Sequence, residues 1–177
     1  MELHYDIVEL VLRVKRRDQL AMKLLYEKSA KAMFSLSLRI TNNVEDSKDV
    51  IQEAYLVSFN KINTLSEPKK YYGWLKQIVV NASIKVAKSK MYYHELDDSV
   101  MIEESFHTPK GNISSKVLDE AIKALPNGCR EVLTLYLLEG YKHKEVADFL
   151  EIKVSPSKSQ YSYALKLLRQ NLEKYDK

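Results

Sequence analysis

Apolar residues recur at steps of three and four along most of the 177-residue chain, and this spacing limits its possible folds more than any other feature. Such a spacing places the apolar side chains on one face of an α-helix. The chain contains only four Gly and four Pro, which leaves few turn residues for a protein built from many short strands. We therefore expect an all-α fold.

The first part of the chain divides into four helical segments. The apolar spacing predicts helices over residues 5–16 and 18–40. Asn43 is a candidate N-cap for a third helix over 44–62, because Glu45 and Asp46 then lie in the first turn, at the positive end of the helix dipole. Pro68 can open a fourth helix, which continues to about residue 90.

Helical spacing disappears between residues 91 and 115, where acidic residues accumulate, and it returns from residue 116 onward. This middle segment has the composition of a flexible linker. The sequence thus predicts two small helical domains, 1–90 and 116–177, joined by an acidic linker, 91–115.

The segment 140–172 has the pattern of a helix-turn-helix, with two amphipathic helices separated by a short turn. Ser155 and Pro156 are expected at the N-cap and the first position of the second helix. The face of that helix opposite its apolar stripe carries basic, hydroxyl and aromatic side chains, namely Lys158, Ser159, Ser162, Tyr163, Lys166 and Arg169. These groups suit phosphates and base edges in a major groove. Helix pairs in bundles that do not bind DNA show the same pattern, so this segment alone leaves DNA binding open.

The third predicted helix carries a mixed polar stripe opposite its apolar face. The stripe consists of Asp49, Gln52, Glu53, Leu56 and Asn60, at relative positions 0, 3, 4, 7 and 11. An acidic, amide and apolar mixture can dock a partner helix, but on composition alone it is more typical of a solvated helix face.

The fourth predicted helix begins with aromatic residues among lysines. Tyr71, Tyr72 and Trp74 lie beside Lys69 and Lys70. Aromatic rings that stack on unpaired bases, together with ammonium groups that follow phosphates, are typical of a single-stranded nucleic-acid surface. Aromatic residues at the start of a helix also commonly pack in a core.

Several classes of function lack support in the sequence. The single Cys129 allows no internal disulfide, the four His show no metal-site spacing, and no nucleophile, acid–base pair or phosphate loop is evident. We expect no catalytic residue, metal or cofactor. Charged residues interrupt every apolar stretch, so we expect no signal peptide or membrane insertion and a cytoplasmic location.

Four sequence blocks together resemble the extracytoplasmic-function (ECF) type of bacterial RNA polymerase sigma factor. In the first half these are LYEKSAKAMFSLSLRITNNVEDSKDVIQEAYLVSFNKI, with its Asp-Val-Ile-Gln-Glu core, and GWLKQIVVNAS. In the second half they are DEAIKALPNGCREVLTLYLLEGYKHKEVADFL and SKSQYSYALKLLRQ. The blocks stand in family order over nearly the whole chain, and this order is far more specific than any one of them.

The resemblance implies a transcription initiation factor whose partners are core RNA polymerase and promoter DNA, with an anti-sigma factor as a further partner that the family allows. The polymerase contacts would be the clamp helices of the largest subunit and the flap region. The stripe on the third helix would bind core polymerase. The minus-10 element would be bound by Asn63, Lys69, Lys70, Tyr71, Tyr72, Lys76, Asn81, Lys85 and Lys88. The minus-35 element would be bound by Lys142, His143, Ser155, Lys158, Ser159, Ser162, Tyr163, Lys166 and Arg169.

The chain departs from the family pattern in the turn before the last helix. Glu151 stands where the family usually has Gly, which would cost on the order of 1 kcal/mol if the residue is left-handed. Ser155 and Pro156 also replace a Gly-Thr-like start. Two alternatives therefore remain at this point, a polymerase-binding adaptor and a helix-turn-helix regulator, neither with initiation activity.

Overall fold

The computed structural model describes residues 6–91 and 114–174, and within these ranges the chain forms eight α-helices and no strand. This confirms the expected all-α fold. The chain divides into two compact units, Met1–Ala87 and Lys88–Lys177. Most of the predicted linker, residues 92–113, lies outside the described residues, so the domain limits given above stay a prediction. No helix in the described part has the length and apolarity that crossing a membrane requires.

The first unit is built from the helices α1 (Ile7–Lys15), α2 (Gln19–Thr41), α3 (Val44–Lys61) and α4 (Tyr71–Met91), the last of which runs past the end of this unit. Asp18 caps α2 by accepting from the Ala21 N–H at 3.1 Å. Asn43 caps α3 by accepting from the Asp46 N–H at 3.0 Å, as the sequence predicts. Both caps satisfy amides that the first turn of a helix leaves without partners.

Buried serines supplement the apolar core of the first unit. Ser29 is buried on α2, and its Oγ lies 2.6 Å from the hydroxyl of Tyr55 on α3. Ser83 on α4 donates to Ser37 on α2 at 3.0 Å, and neither residue has any exposed surface. The hydroxyls therefore enter the core as hydrogen-bonded pairs, which avoids the cost of burying an unpaired polar group.

The second unit contains the helices α5 (Ser115–Lys123), α6 (Asn127–Leu133), α7 (His143–Leu150) and α8 (Val154–Glu173). A π-helical turn, Thr134–Leu138, continues α6. The core joins α5, α6 and α8 through Ala121, Ile122, Leu125, Cys129, Leu133, Ala164, Leu168 and Leu172. Cys129 is thus a packing residue, and burial raises the pKa of its thiol.

The start of α8 differs from the prediction. The helix begins at Val154 with Lys153 in the N-cap position, so Ser155 is a first-turn residue rather than the cap. The Ser157 N–H already bonds to the Lys153 carbonyl at 3.3 Å, which sets the first turn two residues earlier than expected. Pro156 tolerates this shift, because N–H groups throughout the first turn have no partner inside the helix.

Candidate functional site

The polar stripe of α3 lies wholly on the surface. Asp49, Gln52, Glu53, Leu56 and Asn60 are all exposed, and Leu56 retains 64% of its accessible surface. The opposite face of α3 is buried against the core of the unit. An exposed Leu between carboxylates and amides offers a small apolar anchor with a charged rim, which is a typical arrangement at protein interfaces.

An open groove between α2 and α3 adjoins this stripe. Tyr26 and Phe34 line it from α2, and Ile51 lines it from α3 beside Asp49 and Gln52. Tyr26 is 45% exposed, although its ring contacts Tyr55 edge-on at 4.8 Å. Tyr26 and Phe34 were not among the predicted site residues, because their spacing on α2 fits a position in the core equally well.

The reading loop, which we define as residues 62–70 between α3 and α4, is anchored by two buried apolar residues. Ile62 begins the 3-10 turn Ile62–Thr64 and is 1% exposed. Leu65 follows this turn and is 6% exposed. Lys15 at the end of α1 donates to the Leu65 carbonyl at 2.7 Å. These contacts fix the backbone of the loop while Asn63 stays exposed.

The two lysines of the reading loop are exposed and share one carboxylate. Lys69 and Lys70 lie in the 3-10 turn Pro68–Lys70, and both pair with Glu67. Ion pairs at the surface contribute little stability, about 0–1 kcal/mol. A phosphate can therefore replace Glu67 as the partner of either lysine at small cost.

Tyr71 is a correction to the predicted minus-10 set. Its side chain is 0% exposed in the core of the first unit, and burial raises the pKa of its hydroxyl. A ring with no exposed surface has no face to offer a base, so Tyr71 belongs to the core. Tyr72 keeps 37% of its surface and contacts Tyr71 edge-on at 5.7 Å. Tyr72 is thus the loop-proximal tyrosine with a surface for stacking.

The remaining minus-10 candidates lie on α4. Asn81 and Lys85 are exposed, whereas Lys76 and Lys88 are half-buried. Asn81, Lys85 and Lys88 follow at steps of four and three, which places them on one side of the helix. The arrangement provides cationic and amide groups along the helix that continues from the reading loop.

In the second unit, α8 presents a polar face opposite its core contacts. Ser155, Lys158, Ser159, Ser162 and Arg169 are exposed. Tyr163 and Lys166 are half-buried, and Tyr163 packs against the apolar core of the unit. Hydroxyl and cationic groups near the N-terminal half of the second helix match the positions from which helix-turn-helix proteins contact DNA.

His143, at the first position of α7, joins the two helices of the helix-turn-helix. Its ring stacks on Tyr136 at 4.0 Å with an interplanar angle of 13°. Its Nδ1 lies 2.9 Å from the Oγ of Ser157, a residue of α8 with no exposed surface. His143 was predicted among the minus-35 contacts, whereas in the structure its ring contacts Tyr136 and Ser157 within the unit. Lys142, which precedes it, is exposed.

The turn between α7 and α8 keeps a left-handed geometry without Gly. Glu151 has φ 57° and ψ 40°, and the Ile152 N–H bonds to the Ala147 carbonyl at 3.0 Å. A residue with a Cβ adopts this left-handed conformation at a cost on the order of 1 kcal/mol. The departure at Glu151 therefore leaves the local helix-turn-helix backbone intact.

Two charged residues of α6, Arg130 and Glu131, are buried, which the sequence pattern did not predict. Arg130 donates to the Leu125 carbonyl and to Asn127 Oδ1, both at 2.8 Å, and so ties down the turn before α6. Glu131 is 7% exposed, and burial raises the pKa of its carboxyl to about 7. Helical spacing could have placed them inside, but their charge suggested the surface.

Comparisons with known proteins agree on one family. The family model for sigma-70 region 4 matches residues 115–168, which contain the helix-turn-helix. The ECF RNA polymerase sigma-E factor of Escherichia coli K12 is 27% identical, with 85% of this chain and 86% of that protein covered. The chain is thus similar over most of its length to ECF-type RNA polymerase sigma factors. A second relative, the probable RNA polymerase sigma factor RfaY of Xanthomonas campestris, is 26% identical over 78% of this chain, which spans only 37% of RfaY.

The fold of this chain has a counterpart among solved structures. The sigma factor RpoE of Bartonella quintana, crystallised with the anti-sigma factor NepR, matches with a TM-score of 0.58 at 18% sequence identity. The match covers 85% of this chain and 96% of that chain. At this identity the likeness concerns the fold, and the residue roles given above stay predictions.

Proposed function

We propose that this protein is an ECF-type sigma factor that directs promoter-specific transcription initiation by binding core RNA polymerase and contacting the minus-10 and minus-35 elements. It has no catalytic role of its own, and it works wherever polymerase works, in the cytoplasm. The observation that supports this best is the presence, in one chain of this family, of an exposed docking stripe in one unit and an exposed polar helix face in the other.

In this proposal the stripe of α3 binds the clamp helices of the largest polymerase subunit. Leu56 supplies an apolar anchor, while Asp49 and Glu53 supply charge complementarity that favours rapid and correctly oriented encounter. Contact of the second unit with the flap region would complete the attachment. Attachment at two places raises the effective concentration of each DNA-binding unit at its element.

The reading loop and α4 contact the minus-10 element, where the two DNA strands separate. Asn63 and Tyr72 are exposed and can meet an unstacked base, whereas Lys69, Lys70 and Lys85 are exposed and can follow phosphates. Trapping an extruded base offsets an unstacking cost of a few kcal/mol per step. Phosphate contacts position the protein, and base contacts provide selectivity.

The second unit reads the minus-35 element as duplex. Lys158, Ser159 and Ser162 lie exposed in the N-terminal half of α8, where a recognition helix contacts base edges and phosphates. Lys166 and Arg169 lie farther along the same helix. His143 holds the first turn of α8 through Ser157, so its part in DNA binding is to orient the helix.

An anti-sigma factor belongs to the proposed partners. The Bartonella relative of the same fold is solved in complex with one. Such a partner acts most simply by covering the stripe of α3 and preventing polymerase from binding there. Competition between the two for this sigma factor would be the sign of such a mechanism.

Transcription by core polymerase reconstituted with this protein on a library of genomic fragments tests the proposal. Discrete start sites that depend on the protein are expected. Core binding without any start site would instead favour the adaptor, and sequence-specific DNA binding without core binding would favour a regulator that acts alone. A variant with both stripe carboxylates reversed to lysine is the matched negative control.

A further inference from the structure

The turn that ends α1 carries an arginine in a conformation that favours glycine. Arg17 has φ 63°. Its N–H bonds to the Val14 carbonyl at 2.8 Å, and the Asp18 N–H bonds to the Arg13 carbonyl at 3.2 Å. These two bonds form a Schellman motif with Arg17 at the C′ position, where Gly is usual because a Cβ is strained in the left-handed region.

No packing role explains why Arg17 occupies this position. Its side chain is exposed, as is that of Arg16. The neighbouring carboxylate of Asp18 is engaged by Arg13 at 2.8 Å and by the Ala21 N–H at 3.1 Å. Within residues 6–91 and 114–174, neither Arg16 nor Arg17 forms an ion pair. Because the strained left-handed backbone is retained at an exposed residue, the Arg17 side chain itself is a candidate for a functional role.

The turn lies against the reading loop. Lys15, two residues before Arg17, donates to the Leu65 carbonyl at 2.7 Å, and Leu65 is 6% exposed. The end of α1 and the loop backbone are thus joined directly. Lys69 and Lys70 are exposed at the far end of the same loop. α1 also contacts the 3-10 turn Pro68–Lys70 that carries these lysines, and Glu67 is the carboxylate that pairs with both of them.

We propose that Arg17 binds a phosphate of promoter DNA at the edge of the minus-10 contact, with Lys15 fixing the turn to the reading loop. The inference rests on the proposed function, since it assigns a further residue to that site. A guanidinium suits this task because its planar fork can donate two parallel hydrogen bonds to one phosphate. The Arg17 side chain is exposed on a turn that the hydrogen bond from Lys15 to Leu65 joins to the reading loop.

The test separates charge from strain by comparing Arg17→Gly with Arg17→Lys. Arg17→Gly relieves the backbone strain and removes the cation, so we expect the melting temperature to rise by roughly 3 °C. In holoenzyme bound to a promoter fragment from the transcription library, it should also lower the slope of log affinity against log salt by about 0.7 to 0.9. Arg17→Lys should retain the slope.

Asn42→Gly is the matched control, because Asn42 is exposed and left-handed at the end of α2 in the same unit, with φ 54°. It changes the backbone preference without changing charge, so its salt slope should equal that of the unaltered protein. If Arg17→Gly keeps the full slope while the unaltered protein initiates normally, Arg17 makes no phosphate contact. If the unaltered protein starts transcription on no fragment, the proposed function fails instead.

Discussion

The hydrogen bond between His143 and Ser157 should stabilise the helix-turn-helix by a measurable amount. The Oγ of Ser157 has no access to solvent and lies 2.9 Å from His143 Nδ1. His143→Phe keeps a ring to stack on Tyr136 but leaves the buried hydroxyl without this partner, which should cost about 1–3 kcal/mol. Ser157→Ala should cost about 1 kcal/mol, because the half-buried imidazole can still reach water.

A double-mutant cycle isolates the bond from the other effects of each change. The double variant removes both partners, so its loss of stability should be smaller than the sum of the single losses by about 1 kcal/mol. Urea unfolding of the full chain, followed by circular dichroism, gives the midpoints and slopes from which these free energies are obtained. If the double variant loses as much stability as the two single variants together, to within about 0.3 kcal/mol, the bond makes no net contribution.

The same variants test whether the bond orients α8. Lys158 and Ser159 follow Ser157 directly, so loosening this turn should weaken binding to a minus-35 duplex. The salt slope should stay constant, since no phosphate contact is removed. Ser159→Ala is the control for stability, because Ser159 is exposed in the same turn and its loss should change stability by less than about 0.5 kcal/mol.

Three further changes have defined outcomes. Reversing Asp49 and Glu53 to lysine should abolish core polymerase binding in a co-elution assay while the circular dichroism spectrum stays unchanged. As a control, reversing the charge of exposed Glu27 on α2 should leave core polymerase binding intact. If the double variant still bound core polymerase, the stripe of α3 would not be the docking face. Lys158→Ala should reduce the salt slope for a minus-35 duplex by about 0.9, and an unchanged slope would move this lysine off the backbone. Burial raises the pKa of the Glu131 carboxyl to about 7, so the folded protein binds a proton that the unfolded chain releases. The contribution of this group to the free energy of unfolding should be complete below about pH 4.5 and fall by on the order of 3 kcal/mol as the pH rises to 7. Glu131→Gln should remove this fall in urea midpoints measured between pH 5 and 8, whereas a fall that persists would assign it to other groups.

Periodicity and capping chemistry explain why much of the fold could be predicted. Both act within a few residues, so Asn43 could be recognised as the cap of α3 from the sequence. Buried Ser29 and Ser83 could not be recognised, because their hydroxyls pair with residues 26 and 46 positions away. Polar residues enter a core wherever a partner meets them, and that partner is set by tertiary packing.

In the candidate site, too, features that depend on neighbouring residues could be predicted, and features that depend on distant residues could not. The stripe of α3 follows from helical spacing alone, and all its members are exposed. Tyr71 was wrongly assigned to the surface, because spacing does not tell which of two adjacent tyrosines turns inward. Ser155 was wrongly placed at the N-cap, since a hydroxyl before Pro156 fits that position as well as the first turn that it occupies. The role of His143 depends on Ser157, which lies 14 residues later in the chain.

Permanganate footprinting of a promoter found by the transcription assay, with core polymerase and this protein both present, shows directly whether the protein opens promoter DNA. Reactive thymines are expected in the minus-10 segment, because the reading loop and α4 are proposed to hold that strand unpaired. Reactivity should disappear when either core polymerase or the protein is left out, and it should fall in the variant with reversed stripe charges. A duplex that stays unreactive while the protein is bound to core polymerase would show that the protein does not open the promoter.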